Sequence, residues 1–150
     1  MICLRKNGFS LVELLVVVAV IGILAAIAIP TYIGIQKKSA RSEARANLEA
    51  IALVLEGYMA ENNSYGPIED YIYSCGANCT KSTFVPAYPI ALEDIANLGG
   101  GYDYDYAIHV TSFFNPTYVI SALPQRGRVA GDVTPFIRSN GERGPAGFGW

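Results

Sequence analysis

Few side chains in this sequence are placed to do chemistry, and the most informative of them is a single acid. Glu13 stands inside FSLVELLVVVAVIGILAAIAIP, residues 9–30, and residues 14–29 of that run carry no charged or strongly polar side chain. A carboxylate entering hydrocarbon costs on the order of 3 kcal/mol at a helix centre and less near an end, so it calls for a cationic partner or a task. Farther along, Cys75 and Cys79 form a Cys-x-x-x-Cys pair that could bridge or chelate. His109 is the one histidine, and Asp103 and Asp105 alternate with tyrosines in YDYDY. The aspartates lack a loop of oxygen ligands suited to calcium. His109 has no evident nucleophile beside it in the sequence, so no catalytic residue and no cofactor are expected.

These residues must be positioned by two kinds of chain. Of the 150 residues, 51% are hydrophobic and only 16% charged, and the excess is concentrated in the N-terminal run. That composition predicts an apolar rod followed by a mixed, Gly- and Pro-containing head. The opening MICLRKNG is basic. Three readings of it compete: a secretory signal peptide cut near Ala26-Ile27-Ala28, a plain membrane anchor, and a processed anchor that uses its acid. The 21 residues 9–29 are enough to cross a hydrocarbon core roughly 30 Å thick at about 1.5 Å per residue. Neither of the first two readings needs Glu13.

Gly8 followed by Phe9-Ser10-Leu11-Val12-Glu13-Leu14-Leu15 resembles the cleavage and methylation motif of type IV prepilins and related pseudopilins, and Pro30 matches another frequent feature of that family. The resemblance is confined to roughly residues 1–60. It implies a cut between Gly8 and Phe9 by a prepilin peptidase, N-methylation of Phe9, and an anchor held in the inner membrane as a single-pass precursor. An assembly machine would then extract the subunit into an extracellular homo-oligomeric filament. Phe9 and Glu13 become the assembly pair: the new amine and the carboxylate attract strongly in apolar surroundings, and leaving either unpaired is costly. Glu13 could fold back on its own amine or meet a neighbour's, and the resemblance favours the neighbour.

The same cut removes Cys3, Arg5 and Lys6, which leaves nine basic against thirteen acidic side chains, a net charge of −4. A net-acidic chain is a poor polyanion binder, so no nucleic-acid partner is expected. Cys75 and Cys79 are then an even pair in an exported head and are expected to form a disulfide. With no third cysteine and a lone His109, a zinc site lacks ligands, and no metal is expected. Gly22 and Pro30 mark the expected break in the helix. Pro30 cannot donate to the carbonyl of Ala26, and Gly costs about 1 kcal/mol relative to Ala in a helix interior. For the unassembled subunit, a continuous, slightly bent helix is the preferred reading.

Beyond residue 35, apolar positions recur at Ala44, Leu48, Ile51, Leu55 and Tyr58, a stripe at helical spacing, and Asn62-Asn63-Ser64-Tyr65-Gly66-Pro67 supplies the stop. Residues 67–101 read as a long connection with a short helix at 90–98. Strands are expected at 102–111, 117–123 and 133–138, with turns at Asn115-Pro116, at 125–132 and at Asn140-Gly141. The fold class is α+β: a long N-terminal α-helix, with a membrane-spanning half and an amphipathic half, packed against a small antiparallel β-sheet head. The expected divisions are a leader at 1–8, a filament-core helix at 9–35, the amphipathic helix at 36–62 and the globular head at 63–150. Residues 144–150 are the expected subunit contact. The function expected is a structural pilus subunit for adhesion or motility and not an enzyme. The alternatives are a pseudopilin of a type II secretion system, or a minor pilin that binds DNA or a surface ligand.

Overall fold

The apolar run and the amphipathic stretch after it form one element in the computed structural model, which describes residues 9–74, 83–85, 103–111, 115–125 and 127–150. Helix α1 runs Leu11–Asn62, and its first turn includes a bond from the Leu14 amide to the Ser10 carbonyl at 3.2 Å. It ends where the sequence offers residues that tolerate a reversed backbone. Asn63 adopts φ 53°, a left-handed conformation that Asn accepts more readily than most residues, and its amide closes on the Met59 carbonyl at 2.8 Å.

The chain divides into two compact units, Met1–Gln36 and Lys37–Trp150. In the first, the described residues belong to α1 and its N-terminal approach, and nearly all their side chains are exposed. In the second, six strands form one antiparallel sheet: β1 Asp70–Ser74, β2 Thr83–Val85, β3 Tyr104–Thr111, β4 Thr117–Pro124, β5 Phe136–Arg138 and β6 Arg143–Gly144, in the order β2-β1-β3-β4-β5-β6.

The period-2 pattern of β3 and β4 decides what the sheet buries. Register sets Tyr106 opposite Ala122, Ile108 opposite Ile120 and Val110 opposite Tyr118, and all six are buried. The helix stripe Ala40, Ala44, Leu48, Ile51 and Leu55 joins them in one core, with the four positions from Ala44 to Leu55 fully out of water. Burying a side chain the size of Leu or Ile contributes about 1.5–3 kcal/mol, so this seam is the main hydrophobic support of the unit.

The observed strands amend the sequence reading in two places. β1 and β2 lie in the stretch read as a connection, where the alternation Tyr71-Ile72-Tyr73 is the strand signal: Tyr71 and Tyr73 are buried and Ile72 is exposed. β5 begins at Phe136 rather than residue 133. Pro135 has no amide to donate and contributes only its carbonyl, which accepts from the Ala122 amide at 2.9 Å. The C-terminal segment packs on its own unit, which leaves its expected role as a subunit contact untouched. Phe148 is buried with its ring 6.4 Å from that of Tyr104, and Arg45 donates to the Gly149 carbonyl. The expected helix at 90–98 lies outside the described residues.

Candidate functional site

In the first unit the helix presents an apolar surface that is exposed among the described residues. Phe9 is 74% exposed, Leu24 62% and Ile35 67%. Among the described residues α1 is the one helix long and apolar enough to cross a membrane. Glu13 sits in its first turn, where a carboxylate is favoured by the unpaired amides and positive end of the helix. Phe9 lies one turn earlier in the chain, and Gly8 lies outside the described residues.

Gly22 and Pro30 both lie within α1, which continues through them. Pro30 leaves the Ala26 carbonyl without its usual donor. One residue on, the Thr31 hydroxyl turns back onto the Ala28 carbonyl at 2.8 Å and the Ile27 carbonyl at 3.2 Å. This back-bonding satisfies the hydroxyl within its own helix. Cys75 and Cys79 lie outside the described residues.

The polar groups of the second unit are turned onto one another. Asp132 has a side chain only 3% exposed; it accepts from Arg41 Nε at 2.7 Å, again from Arg41 Nη2, and from the Tyr104 hydroxyl at 3.1 Å. The Val133 amide also donates to it, at 3.0 Å. These hydrogen bonds, Arg41's first, hold the Asp132 carboxyl well below the usual carboxylate range against the opposing effect of burial, and Asp132 in turn raises Arg41.

Glu56 collects two buried rings, accepting from the Tyr118 hydroxyl at 2.9 Å and the Tyr65 hydroxyl at 3.1 Å. Burial, aided by that carboxylate, pushes Tyr65 up to about 12 and Tyr118 higher. Burial likewise raises Tyr104 and Tyr106 well above the ordinary phenol value. At the centre of the seam, buried Asn47 donates to the Tyr106 hydroxyl at 2.8 Å. No sequence pattern marked Asn47 or Asp132, because the partners of each lie far along the chain.

Two of the residues singled out for metal or catalysis have other partners. Asp103 accepts from Arg128, and His109 bonds Asp70 across the β1–β3 pair. Among the described residues, no group of three His, Cys, Asp or Glu side chains is placed to hold a metal ion. The arrangement is an exposed apolar helix in one unit and, in the other, a head whose internal polar pairs stabilise it.

Two family models match this chain. A family model described as a prokaryotic N-terminal methylation motif matches residues 3–29, and one described as type IV minor pilin ComP, DNA uptake sequence receptor, matches residues 30–133. The type IV major pilin protein PilA of Myxococcus xanthus is 46% identical over 68 residues, 45% of this chain and 31% of that protein. The type IV wide pilus major component PilA4 of Thermus thermophilus is 37% identical over 78 residues, 52% and 60% of the two chains. The type II secretion system core protein G of Pectobacterium carotovorum is 32% identical over 82 residues, 55% and 51%. The matches to these three span between 31% and 60% of the relatives' own length. No solved structure matches.

Proposed function

This chain belongs to the type IV pilin family, and from that premise we propose that it is a structural subunit cut between Gly8 and Phe9, methylated on Phe9, and polymerised through its N-terminal helix into an extracellular filament. The observation that carries the reading is an uncovered apolar helix with one acid, Glu13, in its first turn. Such a surface needs apolar surroundings at every stage, first lipid and then like helices. Glu13 is the group able to take a neighbour's Phe9 amine, which fixes the register of an entering subunit. Loss of helicity between Gly22 and Pro30 belongs to the assembled state in this reading, and Cys75 pairs with Cys79 in the head. Neither role needs turnover.

The test is the mass and N-terminal residue of this chain in filaments sheared from cells. The reading expects a chain starting at N-methylated Phe9, lighter by two hydrogens for the disulfide. A chain starting near Ile29, or found only as a free periplasmic monomer, would overturn it. The likeness to secretion core protein G keeps a pseudopilin role in view. Loss of protein secretion without loss of surface filaments, on deleting the gene, would favour that role.

A DNA-binding minor pilin is the second reading, and the description of the family model over residues 30–133 favours it. The charge distribution weighs against it. Among the described residues, Arg41, Arg128, Arg138 and Arg143 each meet a carboxylate. Phosphate contacts would have to compete with those pairs. Titration of a fluorescent duplex with the protein separates the two: DNA binding that weakens steeply with salt supports the receptor reading, and no binding at low salt removes it.

A further inference from the structure

The cations that follow the membrane-crossing segment are unequally used by the head, and the less used ones lie at a telling height. Four of them, Lys37, Lys38, Arg41 and Arg45, fall within nine residues of α1. Arg41 is committed to Asp132, and Arg45 to the Gly149 carbonyl. Lys37 is a spare. Its ammonium stands 3.5 Å from an Asp132 oxygen, but that carboxylate already accepts from Arg41, the Tyr104 hydroxyl and the Val133 amide. The Lys37 side chain stays 37% exposed. Lys38 is exposed and has no partner among the described residues.

Height follows from helix geometry. The 27 residue steps from Leu11 to Lys38 rise about 41 Å at 1.5 Å each, close to the roughly 40–45 Å of a bilayer counted with its headgroups. The last large apolar side chain of the run, Ile35, precedes Lys38 by three residues, or about 4.5 Å, which keeps the lysines within the headgroup layer when the run fills the hydrocarbon. Direction agrees as well. Side chains on a helix lean toward its N-terminus, so Lys37 and Lys38 lean back toward the membrane, and their long stems let the ammonium reach the phosphate level.

We propose that Lys37 and Lys38 bind the phosphates of anionic phospholipid on the outer face of the membrane that holds the precursor, fixing the depth of the helix before extraction. The proposal rests on reading α1 as a membrane anchor. With Lys38 at one phosphate layer, the N-terminal end of α1 falls at the other, and Glu13 lies just inside the opposite headgroups rather than at mid-bilayer. The acid is thereby kept where its cost in lipid is smallest.

The test uses the full chain in nanodiscs of phosphatidylcholine alone or with phosphatidylglycerol added, both faces being open to a water-soluble amine-reactive reagent. Labelling of Lys37 and Lys38 is read by mass spectrometry, with Lys81 as the reference within the chain. Resistance of the chain to alkaline extraction from vesicles of the same lipids reports insertion separately. The expected result is an inserted chain whose Lys37 and Lys38 label about fivefold more slowly beside phosphatidylglycerol, the factor corresponding to ~1 kcal/mol per cation near an anionic surface, with the difference lost at high salt. An inserted chain whose labelling is the same in both lipids, or whose Lys81 slows equally, overturns the lipid contact and leaves the anchor intact. A chain that extracts freely overturns the anchor and the lipid contact together.

Discussion

Replacing Asp132 by Ala removes the acceptor on which the head's polar network converges, and the size of the loss follows from what each donor can do afterward. The Tyr104 residue is 3% exposed, so its hydroxyl is stranded, at a cost of about 2 kcal/mol. Arg41 differs: its side chain is 31% exposed and regains water, so losing its pair costs nearer 1 kcal/mol than the 3–5 kcal/mol of a stranded buried charge. Together they predict a loss of about 3 kcal/mol, or roughly 10 °C in Tm for a unit of this size. Asp132→Asn, which still offers an acceptor to Tyr104, should lose about half as much.

The assay is urea unfolding of the full chain in detergent micelles, followed by the fluorescence of Trp150, whose ring lies 5.8 Å from that of Phe148. The native Asp132 carboxyl titrates below its unfolded value, so its contribution is complete above about pH 4 and is lost as pH falls through the lower folded value. Asp132→Asn should therefore flatten the acid side of the stability profile. A loss within about 0.5 kcal/mol for Asp132→Ala, the scatter of an ordinary surface change, would refute the reasoning.

The tyrosines predict the opposite sign in alkali. Tyr65 rises to about 12 and Tyr104, Tyr106 and Tyr118 rise further, so stability is complete below about pH 10 and falls as pH climbs toward 12. Absorbance of phenolate should therefore appear together with loss of near-ultraviolet circular dichroism rather than before it. Tyr106→Phe strands the buried Asn47 amide and should cost about 1–3 kcal/mol by urea unfolding, with Asn47→Leu in the same chain recovering part of it. Gly144→Ala should cost about 1–3 kcal/mol, because a Cβ there would come within 2.6 Å of the Phe136 ring and force it aside. Unchanged stability would mean that the seam, for Tyr106→Phe, or the β5–β6 pair, for Gly144→Ala, is looser than its geometry states.

What was legible in the sequence was what repeats. The 3.6-residue stripe from Ala44 to Leu55 and the alternation through Tyr104, Tyr106 and Ile108 are local patterns, and they led to the helix and to the central pair of strands. β2 and β6 have three and two residues, too few for any period to register, and they exist because a neighbour offers a ladder. Asp132 looked like the end of a turn, since its partners Arg41 and Tyr104 stand 91 and 28 residues away. Phe148 likewise read as a tail residue until Tyr104 and Arg41 closed around it. The acid in the apolar run needed no partner in view, because its oddity was local.

On the proposed filament reading, the exposed apolar helix also determines which substitutions should matter for assembly. Its apolar side chains are exposed in the chain alone, Val16 at 55% and Ile23 at 66% among them, and leaving each in water costs about 1.5–3 kcal/mol relative to burial. That cost enforces apolar surroundings but does not choose between lipid and like helices, since lipid tails are as apolar as leucine. Choice has to come from close packing and from the polar group that differs between the two settings, which is Glu13. The prediction is asymmetric. Glu13→Val makes the segment more comfortable in lipid, so the chain should still be cut and inserted, yet sheared filaments should fall at least about tenfold, the equivalent of losing ~1.4 kcal/mol of selective pairing per subunit. Val16→Ile, equally apolar and one methylene larger, should leave the yield within about twofold, as volume-tolerant apolar exchanges do. Filaments of Glu13→Val at the native yield would show that apolar packing alone selects the polymer, and the assembly role of the acid would then have to be given up.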